Sequence, residues 1–559
     1  MVEKFRKIFG SSLLSLNEVA LVLGLSAIAS QILALIRDRI FAYTFGTGRT
    51  LDIYYAAFKI PDFLFVTVAS LVSMTVLIPY FTREYNNNKE GAKIFLDSVF
   101  TVFFWMLIVS AIITFFLIPK LSYFVAPGFS LGERLEFIKL SRALLFSPLF
   151  LGLSGHIASI VQSFKKFFVY ALSPVLYNVG IIIGILFFYP HFGLMGLAMG
   201  VILGSIFHFA IQWPTAKATG FAPSFTRKIL WPKVREVLLV SVPRTLTLGS
   251  AQLAAILITS FASFLSAGSI AVYNLAFNLQ SVPLSIIGVS FSMAAFPTLS
   301  ALFAVGKKES FIRELSQAAR QIIFWSLPAT ALFIVLRAQI VRTIFGSGRF
   351  DWTSTRLVAA ALAIFAISLV AQGLVFLFVR GYYATGRTRA PLYSNIVSAI
   401  IIVALAPSLL YLYSHIEIFR YFIQALLRVT DVPGTEILML PLAYSIGIIV
   451  NMILHWYFFS REFGFLPVFS TSLRHPLYTA ILSGSVAYGG LAIFDGLFNL
   501  DTLSGIFLQG FLSGTLGIIS GVALLYLLKN EEFSALISAL GYKFWRSSAI
   551  LPPPEDLPQ

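Results

Sequence analysis

Long apolar segments recur along the chain from Leu13 to Leu528, and short polar stretches separate them. About fourteen of these segments reach the roughly twenty residues that a helix needs to cross a hydrocarbon core of about 30 Å. Because lipid offers no hydrogen bonds, the backbone of each segment must satisfy itself, which favours helices. The pattern therefore predicts an all-α integral membrane protein with about fourteen transmembrane helices.

Composition supports this class. Of the 559 residues, 58% are hydrophobic and 11% are charged, whereas soluble proteins average roughly 45–50% and 25%. There is no cysteine, the six histidines lack metal-ligand spacing, and no phosphate-binding G-x-x-x-x-G-K-[ST] loop occurs. We expect a transporter rather than an enzyme, without cofactor or metal, that depends on the membrane potential, an ion gradient or the substrate gradient.

The net charge of +16 does not indicate a nucleic-acid-binding protein. Such proteins concentrate their basic residues in a stripe or an arm, whereas here they occupy short segments between spans, such as 165–166, 217–235 and 307–313. If the N-terminus is cytoplasmic, most of these segments lie inside, as the positive-inside rule requires. We predict that both termini are cytoplasmic.

An internal repeat is visible in the sequence. The pattern Tyr-x-x-Ala-Phe at Tyr54 recurs at Tyr273, and Pro-x-x-x-Asn at Pro174 recurs at Pro391. An even number of spans separates the copies, so both insert in the same orientation. We predict two pseudo-symmetric lobes of about six helices each, with two C-terminal helices, around a central cavity. The predicted boundaries are 1–218 for the N-lobe, 219–235 for a cytoplasmic linker, 236–460 for the C-lobe, 461–530 for the last two spans and 531–559 for a cytoplasmic tail.

Charged residues interrupt the first two spans. They are Arg37, Asp38, Asp52, Lys59 and Asp62. An ionised group at bilayer depth costs up to roughly 3 kcal/mol even on forgiving insertion scales, so it usually faces water, a partner charge or a substrate. These residues are the first candidates for a functional site.

Polar residues of three spans fall on narrow helical faces at about 100° per residue. They include Ser30 and Arg37 in the first span, Asp52, Tyr55 and Lys59 in the second, and Asn274 and Asn278 in the repeat-equivalent helix. Narrow polar faces on apolar helices indicate the walls of a wet cavity. One charged wall and one neutral, hydrogen-bonding wall suit an amphiphile with an anionic part and a sugar-like part.

Each of these residues also has a structural interpretation. Arg37 and Asp38 are compatible with anchors at the outer interface or with a structural ion pair, and Asp52 with a cap at the N-terminus of the second helix. Lys59 is compatible with a side chain that extends toward the interface. The Asn and Ser faces are compatible with hydrogen bonds between helices.

A further amphipathic segment precedes the twelfth span. Phe419, Phe422 and Leu426 alternate with Arg420 and Arg428 at helical spacing. This predicts a helix that either lies on the outer membrane face or packs on the lobes under solvent.

Several motifs resemble the MurJ (MviN) family of lipid II flippases, in the multidrug/oligosaccharidyl-lipid/polysaccharide exporter superfamily. They are Ile36-Arg37-Asp38, Phe45-Gly46, Leu51 to Pro61, Ala126-Pro127-Gly128-Phe129, Phe296-Pro297-Thr298-Leu299-Ser300 and Gly381-Tyr382-Tyr383-Ala384. The resemblance implies V-shaped lobes, a lipid-tail groove formed by the last two spans, and alternating access in a bacterial inner (plasma) membrane. It implies that an undecaprenyl-pyrophosphate-linked peptidoglycan precursor moves from the inner to the outer leaflet, and that Arg37, Asp38 and Asp52 matter for function.

The chain departs from the family pattern at several arginines. Gln31 follows Ser30 where the family has arginine, Phe65 and Val66 replace an arginine pair, and Asn278 replaces another. The seventh span has no acidic residue after Glu236, so the sodium site of some relatives has no obvious counterpart. Arg37 and Lys59 remain as cations for the diphosphate. The predicted substrate-binding residues are Arg37, Asp38, Asp52, Lys59, Tyr55, Ser30, Gln31, Asn274 and Asn278.

The sequence thus predicts a monomeric lipid II flippase. Its partners are a polyprenyl-pyrophosphate-linked glycan and membrane lipids, without nucleic acid. Two other transport functions stay open, a flippase for a different polyprenyl-linked oligosaccharide and a cation-coupled exporter. The alternative outside transport is a membrane scaffold for cell-wall enzymes, in which cavity substitutions would be silent.

Overall fold

The computed structural model describes residues 16–72, 74–387, 389–464, 469–530 and 532–534. The predicted tail, 531–559, lies outside these residues except for 532–534, and so does the N-terminal segment 1–15. Within the described ranges the regular structure is entirely helical.

The helices are α1 (Leu16–Phe45), α2 (Arg49–Asn87), α3 (Lys89–Val125), α4 (Leu131–Ser163), α5 (Phe167–Phe192), α6 (Leu194–Ala218), α7 (Trp231–Ser263), α8 (Ser269–Ala304), α9 (Lys308–Val335), α10 (Arg337–Phe345), α11 (Trp352–Ile367), α12 (Leu369–Ala384), α13 (Arg389–His415), α14 (Glu417–Leu427), α15 (Thr435–Phe463), α16 (Phe469–Asp495) and α17 (Leu503–Leu527). Following the predicted orientation, we call the face that carries the turn between α1 and α2 the outer face.

Twelve of the described helices are long and apolar enough to cross a membrane. The pair α11 and α12, bent by 46°, makes a thirteenth span. The helix α1 has 30 residues, which is also enough to span a bilayer, although it carries Arg37, Asp38 and Arg39. The prediction of an all-α membrane protein with about fourteen spanning helices is confirmed.

Local backbone features repeat between the two halves of the chain. A π-helical turn occupies Phe65–Ala69 in α2 and recurs at Ser285–Val289 in α8. The Asn178 side chain donates a hydrogen bond to the Pro174 carbonyl (3.1 Å), and Asn395 does the same to Pro391 (2.8 Å). Both pairs have nearly the offset that the sequence repeat has, so the repeat extends to local structure.

The segment between α6 and α7 is fastened to α3. The backbone amide and hydroxyl of Ser224 donate to the Asp97 carboxylate (2.9 and 2.8 Å), and the Thr226 amide donates to Thr101 (3.0 Å). The sequence predicted a linker over 219–235, whereas α7 begins at Trp231. The connection is therefore shorter than predicted and bound to the first half.

Glycines allow α5 and α6 to pack backbone to backbone. A Cβ atom added to Gly200 would lie 2.4 Å from the Cα atom of Gly184. The same holds for Gly180, where an added Cβ would lie 2.3 Å from the Gly204 Cα atom. Small residues at such crossings let membrane helices gain close van der Waals contact.

We expect Gly200→Ala to destabilise the protein by about 1–3 kcal/mol, because the added methyl forces the α5 and α6 backbones apart. Gly155→Ala is the matched control, since a Cβ there meets nothing within 4 Å. Thermal unfolding of the purified variants measures both. Equal midpoints for Gly200→Ala and Gly155→Ala would contradict the close crossing.

Candidate functional site

The helix α1 has one apolar face and one polar face. Leu25, Ile28 and Ile32 recur at helical spacing and expose 59%, 55% and 52% of their surface, as lipid-facing residues do. Ser30 and Arg37 lie on the opposite side and are half-buried. The polar face therefore turns into the protein.

Arg37 is held by two neighbours. Its Nε atom donates to the Asp38 carboxylate (2.9 Å), and another guanidinium nitrogen donates to the Asn178 side-chain oxygen on α5 (3.0 Å). The Asn178 amide in turn donates to the Ser30 hydroxyl (3.4 Å). The Arg37 side chain keeps 20% of its surface exposed, so it is paired but reachable. Gln31 is half-buried beside Ser30.

Two asparagines of α8 complete the arrangement from the second half of the chain. The Asn278 amide donates to the second Asp38 oxygen (3.1 Å), and the Lys59 ammonium on α2 donates to the Asn274 side-chain oxygen (3.5 Å). The ion-pair interpretation of Arg37 and Asp38 is therefore correct in this conformation. Lys59 contacts α8 and does not extend to the interface.

We call this group the polar cluster: Ser30, Arg37, Asp38, Lys59, Asn178, Asn274 and Asn278. It joins α1, α2, α5 and α8. Because opposite charges and amides meet here with part of their surface free, the cluster can exchange some of its internal hydrogen bonds for bonds to an anionic, hydroxyl-rich ligand. Among the described residues no group of three or more metal-ligand side chains converges.

Tyr55 lies on α2 four residues before Lys59, about one helical turn away, and its hydroxyl is unpaired among the described residues. Its ring is 6.4 Å from the Phe41 ring and 5.7 Å from the Tyr54 ring, centroid to centroid. The hydroxyl is buried without a hydrogen-bond partner within the described part of the chain. An unpaired buried hydroxyl is costly and gains free energy from a ligand or a water molecule.

Asp52 lies outside the polar cluster. Its side chain is fully buried, and its oxygens accept hydrogen bonds from the Gly268 amide (2.7 Å) and the Ala271 amide (2.9 Å). It therefore caps the N-terminus of α8. The structural interpretation from the sequence was a cap on its own helix, α2. The carboxylate also forms an ion pair with Arg49 (3.5 Å), so the conformation described leaves it no free face for substrate.

Other contacts close the outer face around Asp52. The Arg39 guanidinium donates to the Thr343 carbonyl (2.8 Å), and the hydroxyls of Thr47 and Ser354 are 2.6 Å apart. Gly268, at φ +94°, lies so close to the Thr47 carbonyl that any Cβ would collide with it. These contacts join the two halves of the chain tightly at this end.

An apolar cavity of about 610 Å³ lies between α2, α7 and α13. Its lining is almost entirely hydrocarbon, with Phe63 and Leu246 among its walls. The Ser70 and Thr245 hydroxyls hydrogen-bond across the same seam between α2 and α7 (2.7 Å). Such a cavity suits a hydrocarbon chain and not a charged headgroup.

The sequence model of the family described as "Lipid II flippase MurJ" matches residues 41–507. The chain belongs to this MurJ family. The match includes the outer-face contacts of Asp52 and Thr47 and all of the polar cluster except its α1 residues.

Individual relatives agree with the family assignment. The chain is 26% identical over 398 residues to a probable lipid II flippase MurJ of Rhizobium tropici, covering 69% of this chain and 74% of the relative. It is 28% identical over 391 residues to the corresponding Rickettsia prowazekii protein, covering 69% and 77%. With the lipid II flippase MurJ of Burkholderia cenocepacia it shares 27% identity over 372 residues, covering 65% and 72%.

Solved structures support the fold. A structure titled "Lipid II flippase MurJ, inward closed conformation" superposes with a TM-score of 0.72 at 20% identity, covering 92% of this chain and all of the other. An inward-facing multidrug resistance MATE family transporter of the MOP superfamily superposes with a TM-score of 0.62 at 17% identity, covering 78% and 94%. The fold is therefore that of the MurJ structure, as the sequence motifs implied.

Sequence reasoning missed three contributors: Asn178, Arg39 and the Thr47–Ser354 pair. Asn178 was visible in the repeated Pro-x-x-x-Asn pattern, and a polar residue in the middle of an apolar span was a usable signal. No sequence signal pairs Thr47 with Ser354, because only the tertiary arrangement brings them together.

We expect Asp52→Ala to lower stability by about 1–3 kcal/mol, because two buried amides of α8 lose their acceptor. Asp52→Asn should lose less, since it keeps one acceptor oxygen. The control is Asp501→Ala, which removes an exposed carboxylate. If all three variants unfold at the midpoint of the unmodified protein, Asp52 does not cap α8.

Proposed function

We propose that this MurJ family member moves lipid II from the cytoplasmic to the outer leaflet, with the polar cluster holding the headgroup. The observation that carries the proposal is the position of two cations where the halves of the chain meet. Lys59 hydrogen-bonds Asn274 of α8, and Arg37 is paired with Asp38, which accepts a bond from Asn278 of α8. A diphosphate carries more than one negative charge, and these are the two cations of the cluster.

The headgroup would compete for bonds that the cluster makes within itself. Arg37 has a planar fork of donors, so it can turn from Asp38 to phosphate oxygens while Asn278 still donates to Asp38. The amides of Asn274 and Asn278 and the Tyr55 hydroxyl are suited to sugar hydroxyls. Ser30, which contacts Asn178, and its neighbour Gln31 are further polar groups for the headgroup. Transfer through the protein avoids the large cost of moving a charged headgroup through hydrocarbon.

Movement would follow alternating access. Residues 1–218 and 236–460 act as two rocking lobes in a monomer with both termini in the cytoplasm, and α16 and α17 guide the lipid tail. The outer-face contacts of Asp52, Arg39 and Thr47 break when the site opens outward. The membrane potential or an ion gradient drives the return.

We expect Arg37→Ala to reduce lipid II transport at least tenfold, because losing one charged hydrogen-bond partner costs about 1.5–3 kcal/mol. Lys59→Ala should give a smaller loss, since ammonium is a point charge without the guanidinium fork. Transport of labelled lipid II in proteoliposomes measures both. A second polyprenyl-linked sugar, tested in parallel, shows whether the site selects lipid II.

The control is Lys139→Ala, whose side chain is 64% exposed and far from the cluster in sequence. All variants are also tested for growth of a flippase-depleted strain. Full growth with Arg37→Ala at normal protein levels would remove Arg37 from the mechanism. Silent substitutions throughout the cluster would instead favour the scaffold alternative.

We expect T47C/S354C to form a disulfide that arrests transport, because the two hydroxyls are 2.6 Å apart across the outer face. The chain has no other cysteine, so the cross-link is unambiguous. Reduction should restore transport, and each single variant is the control. Unimpaired transport by the fully cross-linked protein would contradict opening at this face.

A further inference from the structure

The short helix α14 lies between two membrane spans on the outer face with an apolar side uncovered. Ile418, Phe422 and Leu426 recur every four residues and expose 83%, 61% and 63% of their surface. Tyr421, on the same side, exposes 57%. A surface helix with this pattern buries its apolar side among lipid acyl chains just below the headgroups.

The other side of α14 is fixed to the protein. Ile423 is buried, and the Gln424 amide donates to the hydroxyls of Tyr413 and Thr435, both at 3.0 Å. The helix is therefore held at one height on the outer face. The sequence left open whether this helix lies on the outer membrane face or packs on the lobes. One side of α14 packs on the protein, and the other side is free to contact the membrane.

Arg428 ends α14 and extends to α16. Its backbone is left-handed (φ +60°), and its carbonyl accepts a hydrogen bond from Arg356 (2.6 Å). One guanidinium nitrogen donates to the Tyr488 hydroxyl on α16 (2.9 Å). The nearby carboxylate of Asp431 is taken by Arg356 through two bonds of 2.6 Å, which lower the pKa of Asp431. Arg428 is thus left with a neutral partner.

The start of α10 lies against the same part of α16. The Gln339 amide donates to the Gln509 side-chain oxygen on α17 (3.1 Å), and the Gln509 amide donates to the Leu491 carbonyl on α16 (3.0 Å), three residues from Tyr488. Arg337, two residues before Gln339, supplies a second cation at this place.

Arg337 starts α10, donates to the Ile334 carbonyl (2.7 Å) and is half-buried. Burial, and secondly the charge of the neighbouring Arg428, lower its pKa. Guanidinium stays charged in proteins, and within the described ranges neither arginine forms an ion pair with a carboxylate. Two guanidinium groups near each other without a carboxylate partner repel, and a bound anion would neutralise them.

We propose that Arg337 and Arg428 bind the phosphate of a lipid in the outer leaflet, beside α14 and α16. The guanidinium fork matches phosphate oxygens, and the exposed α14 side chains place this pair at headgroup height. The assignment to the outer leaflet rests on the proposed orientation and function. A phospholipid and the polyprenyl diphosphate product offer the same chemistry, and the experiment separates them.

The test uses the full chain and native mass spectrometry with added undecaprenyl diphosphate or phosphatidylglycerol. The variants are compared in an R37A background, so that the polar cluster does not hold the diphosphate. There we expect R337Q/R428Q to retain the lipid at least tenfold less well than R37A alone. The matched control is K120Q/K139Q, which removes two exposed cations from the predicted outer side of the first half. Equal retention by R337Q/R428Q and the control would overturn the site.

The single variant R428Q keeps the test valid if the double variant fails to fold, because the Arg428 side chain is exposed and its replacement should not disturb the fold. It should show an intermediate loss, and full retention by a folded R428Q would count against the site. Greater loss of the diphosphate than of phosphatidylglycerol identifies the polyprenyl diphosphate part of the transported lipid as ligand, and equal loss identifies anionic lipids in general. R37A separates this proposal from the transport proposal, since it should stop transport yet keep the lipid at Arg337 and Arg428.

Discussion

The arrangement of the polar cluster depends on keeping the opposite charges of Arg37 and Asp38 paired at membrane depth. Arg37 and Asp38 neutralise each other, and Asn178 and Asn278 satisfy their remaining hydrogen-bonding capacity from two other helices. Breaking such a group by removing one member is far more costly than the group is stabilising. We infer that an anionic ligand can replace Asp38 as the partner of Arg37, because it offers the same negatively charged acceptor oxygens.

The outer face and the polar cluster contain different kinds of contact. At the outer face, Asp52 and Arg39 hold backbone groups of the other half, so closure relies on charged side chains bound to amides and carbonyls. In the proposed mechanism, these bonds break when the halves separate. The polar cluster lies deeper, where its partial exposure allows exchange with a ligand. In the proposed mechanism, closure and substrate binding are therefore carried by neighbouring but distinct residues, and Asp52 belongs to the first group.

Much of the fold could be predicted from the sequence because hydrophobic length reports span number directly. The facing walls of α1, α2 and α8 were also predictable, since helical spacing places Arg37, Lys59 and Asn274 on polar faces. Asp52 could not be assigned, because its acceptor role depends on Gly268, more than two hundred residues away, adopting a left-handed turn. The contacts of Arg428 could not be predicted either. Periodicity predicts an amphipathic helix, but it does not predict which residues of other helices lie next to the end of that helix.

The most direct test is an experimental structure of the protein with lipid II bound. The account predicts the diphosphate within hydrogen-bond distance of the Arg37 guanidinium or the Lys59 ammonium, with sugar hydroxyls near Asn274 and Asn278. A diphosphate bound elsewhere, with the Arg37–Asp38–Asn278 bonds unchanged, would contradict it.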